Sequence, residues 1–262
     1  TNAASGNGGG WYGDGSSITL TAVAVTSNTA ATNGGAGYMI KAGAAIASTL
    51  ALSGATSKLT GNIAIAGAGG AIYFHNGTVG TITAAELKTN KATAGAGGAL
   101  YVSAEATVTL VGAVIDANIA GTDGGGVYAT GAAARVTATG TTAVKNNRAI
   151  VGTGRGGGYA VFSGAIVELT AGTTEANHAK KGGGFYIGAS TCLLHGHTTQ
   201  TNKATVDHGG GLYLTDTGAS ATADLASLIK SNEATKNGGG VYRAVGNPAF
   251  TLTGTSTKME NN

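Results

Sequence analysis

A repeat of about 29 residues runs through the whole chain and constrains its fold more than any other feature. Each repeat contains a glycine cluster that is followed by an apolar residue and, in eight of nine repeats, by a tyrosine. An Asn-x-Ala triplet lies a few residues before each cluster. Repeats of about 20–50 residues are typical of solenoids, in which each repeat packs only against its neighbours.

The segments between the glycine clusters indicate strands. Each repeat carries three brief stretches of β-forming residues separated by Gly, Asn, Ser and Thr, and no helical 3.6-residue period occurs. Hydrophobic residues make up 42% of the chain and charged residues only 10%, which excludes a disordered polypeptide, and a single proline excludes collagen. The sequence predicts an all-β, right-handed parallel β-helix of about nine coils, with three short strands per coil, as one domain over residues 1–262.

The repeated asparagine predicts a side-chain ladder. Equal positions on neighbouring coils lie about 4.8 Å apart, so one amide can donate to one neighbour and accept from the other. We expect these asparagines at a turn between strands. The predicted asparagine ladder consists of Asn2, Asn28, Asn62, Asn90, Asn118, Asn147, Asn177, Asn202, Asn232 and Asn262.

The apolar residues on either side of each tyrosine position predict the two faces of that strand. Strand alternation places these apolar residues inside and the tyrosines outside. The outward rings either only stabilise the coils or also contact glycans or a neighbouring solenoid, and the sequence leaves both open. This tyrosine stripe, interrupted at Ala160, comprises Tyr12, Tyr38, Tyr73, Tyr101, Tyr128, Tyr186, Tyr213 and Tyr242.

A charged column precedes the asparagines by two residues. Opposite charges meet on four of its six steps, which predicts cross-strand ion pairs that favour the correct register. The column consists of Lys88, Asp116, Lys145, Glu175, Gln200, Lys230 and Glu260.

The remaining polar residues do not form a recognisable reactive site. Asp14, Asp123, Asp207 and Asp216 lie near the glycine–tyrosine strands, but mostly in coils that are not neighbours. We therefore predict no catalytic residues and expect a non-enzymatic protein without a cofactor. The 15 basic and 12 acidic residues are spread along the chain, which predicts no nucleic-acid partner. The apolar runs are too short to predict insertion into a membrane.

Several short motifs favour structural interpretations. His195 and His197 are expected on one strand face without a third ligand, so we predict no metal site. A glycine motif at 152–157 leads into a strand, whereas dinucleotide binding requires a helix there. Thr-x-Thr pairs skip coils, which predicts no continuous ice-binding face; they are Thr19/Thr21, Thr81/Thr83, Thr137/Thr139 and Thr251/Thr253.

The repeat resembles the passenger repeats of polymorphic membrane proteins, a family of autotransporter adhesins. Gly69-Gly70-Ala71-Ile72 matches the Gly-Gly-Ala-Ile element of that family. Its Phe-x-x-Asn element is matched with another apolar residue, as in Leu59/Asn62 and Ile115/Asn118. The resemblance implies a β-helical adhesive or structural protein that is located outside the cell or at its surface.

The repeat is in phase from Asn2 to Asn262, so the sequence predicts no capping element. Uncapped, complementary ends predict a secreted subunit that polymerises head to tail into an extracellular filament. The alternatives are a fragment of a larger adhesin that binds glycans or host surfaces and, third, a polysaccharide-processing enzyme. The expected partners are further copies, glycans or neighbouring filaments. The predicted polymerisation ends contain Asn2, Trp11, Tyr12, Phe250, Met259, Glu260 and Asn262.

Overall fold

A computed structural model describes residues 1–43 and 47–262. In these ranges the chain forms a parallel β-solenoid without helices, built from four nine-stranded parallel sheets. Every interior strand pairs with its counterparts one coil before and after it, and the strands of the end coils pair on one side only. The predicted parallel β-solenoid of about nine 29-residue coils is therefore confirmed.

We name the four sheets after their strands. The short sheet contains Ala3–Ala4, Thr29–Ala30, Ile63–Ala64, Lys91–Ala92, Ile119–Ala120, Arg148–Ala149, His178–Ala179, Lys203–Ala204 and Glu233–Ala234. The tyrosine sheet contains Trp11–Asp14, Gly37–Ile40, Ile72–Phe74, Leu100–Val102, Val127–Thr130, Tyr159–Phe162, Phe185–Gly188, Leu212–Thr215 and Val241–Arg243. The long sheet contains Ser17–Thr21, Thr49–Ser53, Val79–Thr83, Thr107–Val111, Arg135–Thr139, Ile166–Thr170, Thr191–His195, Ser220–Asp224 and Ala249–Leu252. The charged sheet contains Ala24–Thr26, Lys58–Thr60, Glu86–Lys88, Val114–Asp116, Ala143–Lys145, Thr173–Glu175, Thr198–Gln200, Leu228–Lys230 and Lys258–Glu260.

Each coil has four strands in the described ranges, so the prediction of three was wrong. The additional strand is the two-residue segment after each asparagine, such as Lys91–Ala92. Two residues are too few to show the alternation by which strands are recognised in a sequence. Pairing with the equivalent segments of neighbouring coils, as in Lys91 with Ile63 and Ile119, makes this segment a strand.

The core is a continuous stack of apolar side chains enclosed by the sheets. The predicted inward positions of the tyrosine sheet, such as Ile72 and Phe74, are buried. At the first coil Trp11 is only partly buried and its ring lies across Gly37, where a Cβ would overlap the indole. The glycine clusters allow similarly close contact between coils, since a Cβ at Gly98 would overlap the carbonyl oxygen of Gly125.

The corner between the charged and short sheets has the same construction in each described coil. It consists of one residue with a left-handed backbone followed by the ladder asparagine, as at Thr89 (φ 53°) and Asn90. The other corners vary in length, and those after the tyrosine strands range from the pair 15–16 to the segment 244–248. The asparagine corner thus keeps the coils in phase while insertions are placed elsewhere.

Candidate functional site: the polar ladders and the end faces

The asparagine ladder is formed by side chains buried inside the invariant corner. The backbone N–H and the Nδ2 of Asn90 both donate to Oδ1 of Asn118, at 2.9 and 3.0 Å. Nδ2 of Asn118 in turn donates to the backbone oxygen of Leu87 at 2.9 Å. The same arrangement repeats through the interior coils, and Asn62 to Asn232 are at most 2% exposed. Each amide therefore has its donors and its acceptor satisfied without water.

The ladder has a direction, because each coil donates to the amide oxygen of the coil that follows it. At one end the N–H of Asn2 donates to Oδ1 of Asn28 at 2.8 Å. At the other end Oδ1 of Asn262 accepts from the N–H and Nδ2 of Asn232, at 3.0 and 2.9 Å. Within the described residues, Oδ1 of Asn2 and the N–H of Asn262 have no hydrogen-bond partner. One end therefore presents a ladder acceptor and the other a ladder donor.

The two end faces are apolar around these asparagines. The first coil exposes Tyr12 by 51% and leaves Trp11 and Val25 half-buried beside a hollow of about 340 Å³. In the described part of the chain, the buried indole N–H of Trp11 has no hydrogen-bond partner. The last coil exposes Met259 by 48% beside a hollow of about 370 Å³. Each end of the described chain therefore exposes part of the apolar cross-section of the core.

The tyrosine stripe is a continuous stack of aromatic rings. Its centroid distances range from 4.5 Å between Tyr73 and Tyr101 to 5.4 Å between Tyr128 and Phe162. The predicted interruption at Ala160 is bridged, because Phe162 leans between Tyr128 and Tyr186. The sequence signal was a phenylalanine two residues after the missing tyrosine, which strand alternation places on the same outward face but in the neighbouring column.

Most of the stripe is covered although it lies outside the core. Tyr38, Tyr186 and Tyr213 are only 6–8% exposed, whereas Tyr12 at the end face is 51% exposed. Burial raises the pKa of Tyr101 and of Tyr213 to about 12, and the neighbouring tyrosines add to the effect. The rings chiefly cover one another, so the stripe offers little ring surface on which a sugar could stack.

Two of the four acidic residues near this stripe, Asp123 and Asp207, are paired with cations. Asp123 binds Arg155 through both oxygens, with an Nη2–Oδ2 distance of 2.7 Å, and raises the pKa of Arg155. The guanidinium carbon of Arg155 lies 4.6 Å from the centre of the Phe162 ring. Asp207 lies 3.1 Å from the amino groups of both Lys181 and Lys236.

The charged column has the predicted register but forms few of the predicted ion pairs. Lys88 lies 3.3 Å from Asp116, while Gln200 donates to Glu175 at 2.7 Å. Among the described residues, Lys145 and Lys230 form no ion pair within the column. These two lysines are partly exposed to solvent, where an ion pair gains little over hydration.

The two histidines lie in different environments, so the expectation of a shared face was wrong. Gly196 has φ 61° and turns the chain between them. His195 is on the surface, with Nδ1 2.6 Å from Oδ1 of Asp224. His197 is 2% exposed and contacts Thr174 Oγ1 at 2.9 Å, and burial lowers its pKa to about 4. No cluster of three metal-ligating side chains occurs in residues 1–43 and 47–262.

Comparison of the chain with protein-family models, with curated proteins and with solved structures gives no significant match. The chain is a β-solenoid repeat protein by its fold, and no match supports a particular family. Over the described residues there is no helix long and apolar enough to cross a membrane.

Proposed function

We propose that this chain is a secreted structural subunit whose copies stack head to tail into an extracellular filament. The observation that carries the proposal is the opposite polarity of the two ladder ends. Continuing the ladder rule, the N–H and Nδ2 of Asn262 donate to Oδ1 of Asn2 in the next copy. Nδ2 of that Asn2 then donates to the backbone oxygen of Met259, as Asn118 does to Leu87.

The register of the sheets supports the same contact. A second copy placed on the last coil would continue the register of the sheets. Three inward residues of the last coil would then pack against their register partners in the first coil of that copy: Val241 against Trp11, Phe250 against Ile18, and Met259 against Val25. These pairs join two apolar cross-sections into one core. Backbone pairing in four sheets accompanies this burial, and a heterologous contact of this kind forms an open polymer.

Two charged residues modify this contact. Glu260 is in register with Thr26 of the next copy, so no opposite charge meets it there. Arg243 occupies an inward column in the last coil and would meet Gly13. In the single chain its Nε donates to the backbone oxygen of Pro248 at 2.7 Å. The space beside Gly13 is already filled by Met39 and Ile18, so Arg243 has to keep its charge at the edge of the contact.

The extracellular setting and the autotransporter-like class rest on the sequence resemblance alone. The Gly-Gly-Ala-Ile and apolar-x-x-Asn elements support a surface location. The tyrosine stripe, accessible mainly along its edges, is a lateral contact between filaments in this proposal.

Electron microscopy of the purified chain tests the proposal. Nine coils predict filaments with an axial rise of about 43 Å per subunit, at about 4.8 Å per coil. Met259→Asp should abolish filaments, because it places a charge in the apolar contact, while Val151→Asp should not. Val151 is 58% exposed on the side of the solenoid and is the matched control. Dispersed wild-type monomers would contradict the proposal and favour the adhesin fragment.

A further inference from the structure

The chain contains four Asn-Gly pairs, which differ in the hydrogen bond of the glycine N–H. The pairs are Asn7-Gly8, Asn33-Gly34, Asn76-Gly77 and Asn237-Gly238. In such a pair the glycine nitrogen can attack the carboxamide carbon of the asparagine, because glycine has no side chain that hinders the approach. A nitrogen whose N–H donates to a fixed carbonyl oxygen has to break that bond first. The hydrogen bonds of the four pairs therefore rank their reactivity.

The first three pairs hold the glycine N–H in a hydrogen bond to the following coil. The acceptors are backbone oxygens, and the bonds are Gly8 to Asn33 at 2.9 Å, Gly34 to Ala68 at 2.9 Å and Gly77 to Ala104 at 3.3 Å. Two of the carboxamides are bonded as well. Oδ1 of Asn7 accepts from the N–H of Asn33 at 3.1 Å, and Oδ1 of Asn33 accepts from the N–H of Ala68 at 2.8 Å. These pairs are protected by the fold.

The fourth pair, in the last coil, lacks both kinds of protection. Among the residues that the structure describes, the N–H of Gly238 has no acceptor and the carboxamide of Asn237 has no hydrogen-bond partner. Only the backbone N–H of Asn237 is bonded, to Nδ1 of His208 at 3.0 Å. Asn237 is exposed, so water reaches its side chain.

We propose that Asn237 is a site of spontaneous deamidation, which converts it to aspartate and isoaspartate. The backbone nitrogen of Gly238 attacks Cγ of Asn237, so that an N–Cγ bond forms, the Cγ–Nδ2 bond breaks, and ammonia leaves with the proton of the glycine amide. Water then opens the resulting succinimide at one of its two carbonyl carbons. Opening at Cγ gives aspartate, whereas opening at the backbone carbon gives isoaspartate, in which the main chain is longer by one carbon.

Stacking of copies would protect this pair. Within the chain, Gly8 donates to the backbone oxygen of Asn33. In the same register, the N–H of Gly238 would donate to the backbone oxygen of Asn7 in the next copy. Isoaspartate at position 237 displaces the glycine cluster that follows it, so a free end that has aged no longer matches the next copy. This consequence rests on the proposed function, whereas the deamidation reaction itself does not.

Peptide mass spectrometry tests the deamidation site in the whole chain, aged as dispersed protein in mildly alkaline buffer and then digested. Trypsin releases Asn237 in the peptide 237–243. We expect Asn237 to react at least about tenfold faster than Asn33, which reacts only after local opening of the fold. Asn76 is the internal control, because it is also exposed but its glycine N–H is bonded, and it should react more slowly than Asn237. Absence of reaction at Asn237, or an equal rate at Asn76, overturns the inference.

Filaments test the consequence for assembly. Asn237 should react at least about tenfold more slowly in filaments than in dispersed chains, because the N–H of Gly238 is then released only by local opening. Dispersed chains aged before assembly should lose elongation, whereas aged Asn237→Gln, which keeps a carboxamide but forms no succinimide, should retain it. Asn76→Gln is the matched control and should age like wild type. Equal reaction in filaments and dispersed chains overturns the protection by stacking. Failure of fresh chains to form filaments contradicts the proposed function instead, and the rates in dispersed chains still decide the deamidation site.

Discussion

The asparagine ladder and the charged column run along the solenoid only two residues apart, yet they differ in their contacts. In the ladder, every interior asparagine bonds to its equivalents on both sides. In the charged column, Lys88 and Asp116 form an ion pair at 3.3 Å, and among the described residues the other five steps have none. Both columns repeat in the sequence, so repetition alone does not explain the difference.

Burial explains it. An amide inside the corner has no water with which to bond, so each unpaired group would cost about 1–3 kcal/mol. A charged group on the surface keeps its hydration whether or not it finds a partner, and pairing gains little. The asparagine ladder is therefore fully hydrogen-bonded because it is buried, whereas the charged column is not because its side chains reach water.

Asn118→Ala should produce the largest loss of stability. It removes the acceptor of two buried donors of Asn90 and the donor to the backbone oxygen of Leu87. We expect the free energy of unfolding to fall by about 3 kcal/mol or more, measured by urea denaturation. Asn76→Ala, at an exposed turn, is the control and should cost less than about 0.5 kcal/mol. Similar losses in the two variants would contradict the role of burial.

Acidification should destabilise the fold through His197. Because burial lowers the pKa of His197 to about 4, the folded chain binds its proton less readily than the unfolded chain. The stability due to the neutral imidazole is complete above about pH 6.5 and falls toward pH 4, by up to about 1.4 kcal/mol per pH unit. His197→Gln should flatten the urea midpoints measured across this range relative to wild type. Parallel pH profiles for wild type and His197→Gln would refute this assignment.

Replacement of Lys88 by Met should have the smallest effect. The side chain of Lys88 lies in solvent, so loss of its contact with Asp116 is compensated by hydration. We expect a small decrease in the urea midpoint at low salt and none at 1 M NaCl, where charges are screened. A large, salt-independent decrease would show that the charged column stabilises the stack as the ladder does.

The phase of the repeat predicts which residues share a column, and hence the solenoid, the inward residues and the positions of the asparagines. It does not predict contacts that depend on local departures from the repeat. Phe162 enters the tyrosine stripe because Gly188, its neighbour in register, leaves room for the ring. His195 and His197 separate because Gly196 turns the chain, and strand alternation does not extend across a corner.

The constant asparagine corner makes the length of the molecule adjustable in whole steps. Removal of residues 91–118 would join Asn90 directly to Ile119 and preserve the left-handed turn before the ladder. The shortened protein would lose about 4.8 Å of axial length and keep both end faces unchanged. Duplication of the same segment would add that distance. Gain or loss of single coils would thus change the length of the protein in fixed steps without changing the surfaces at its ends.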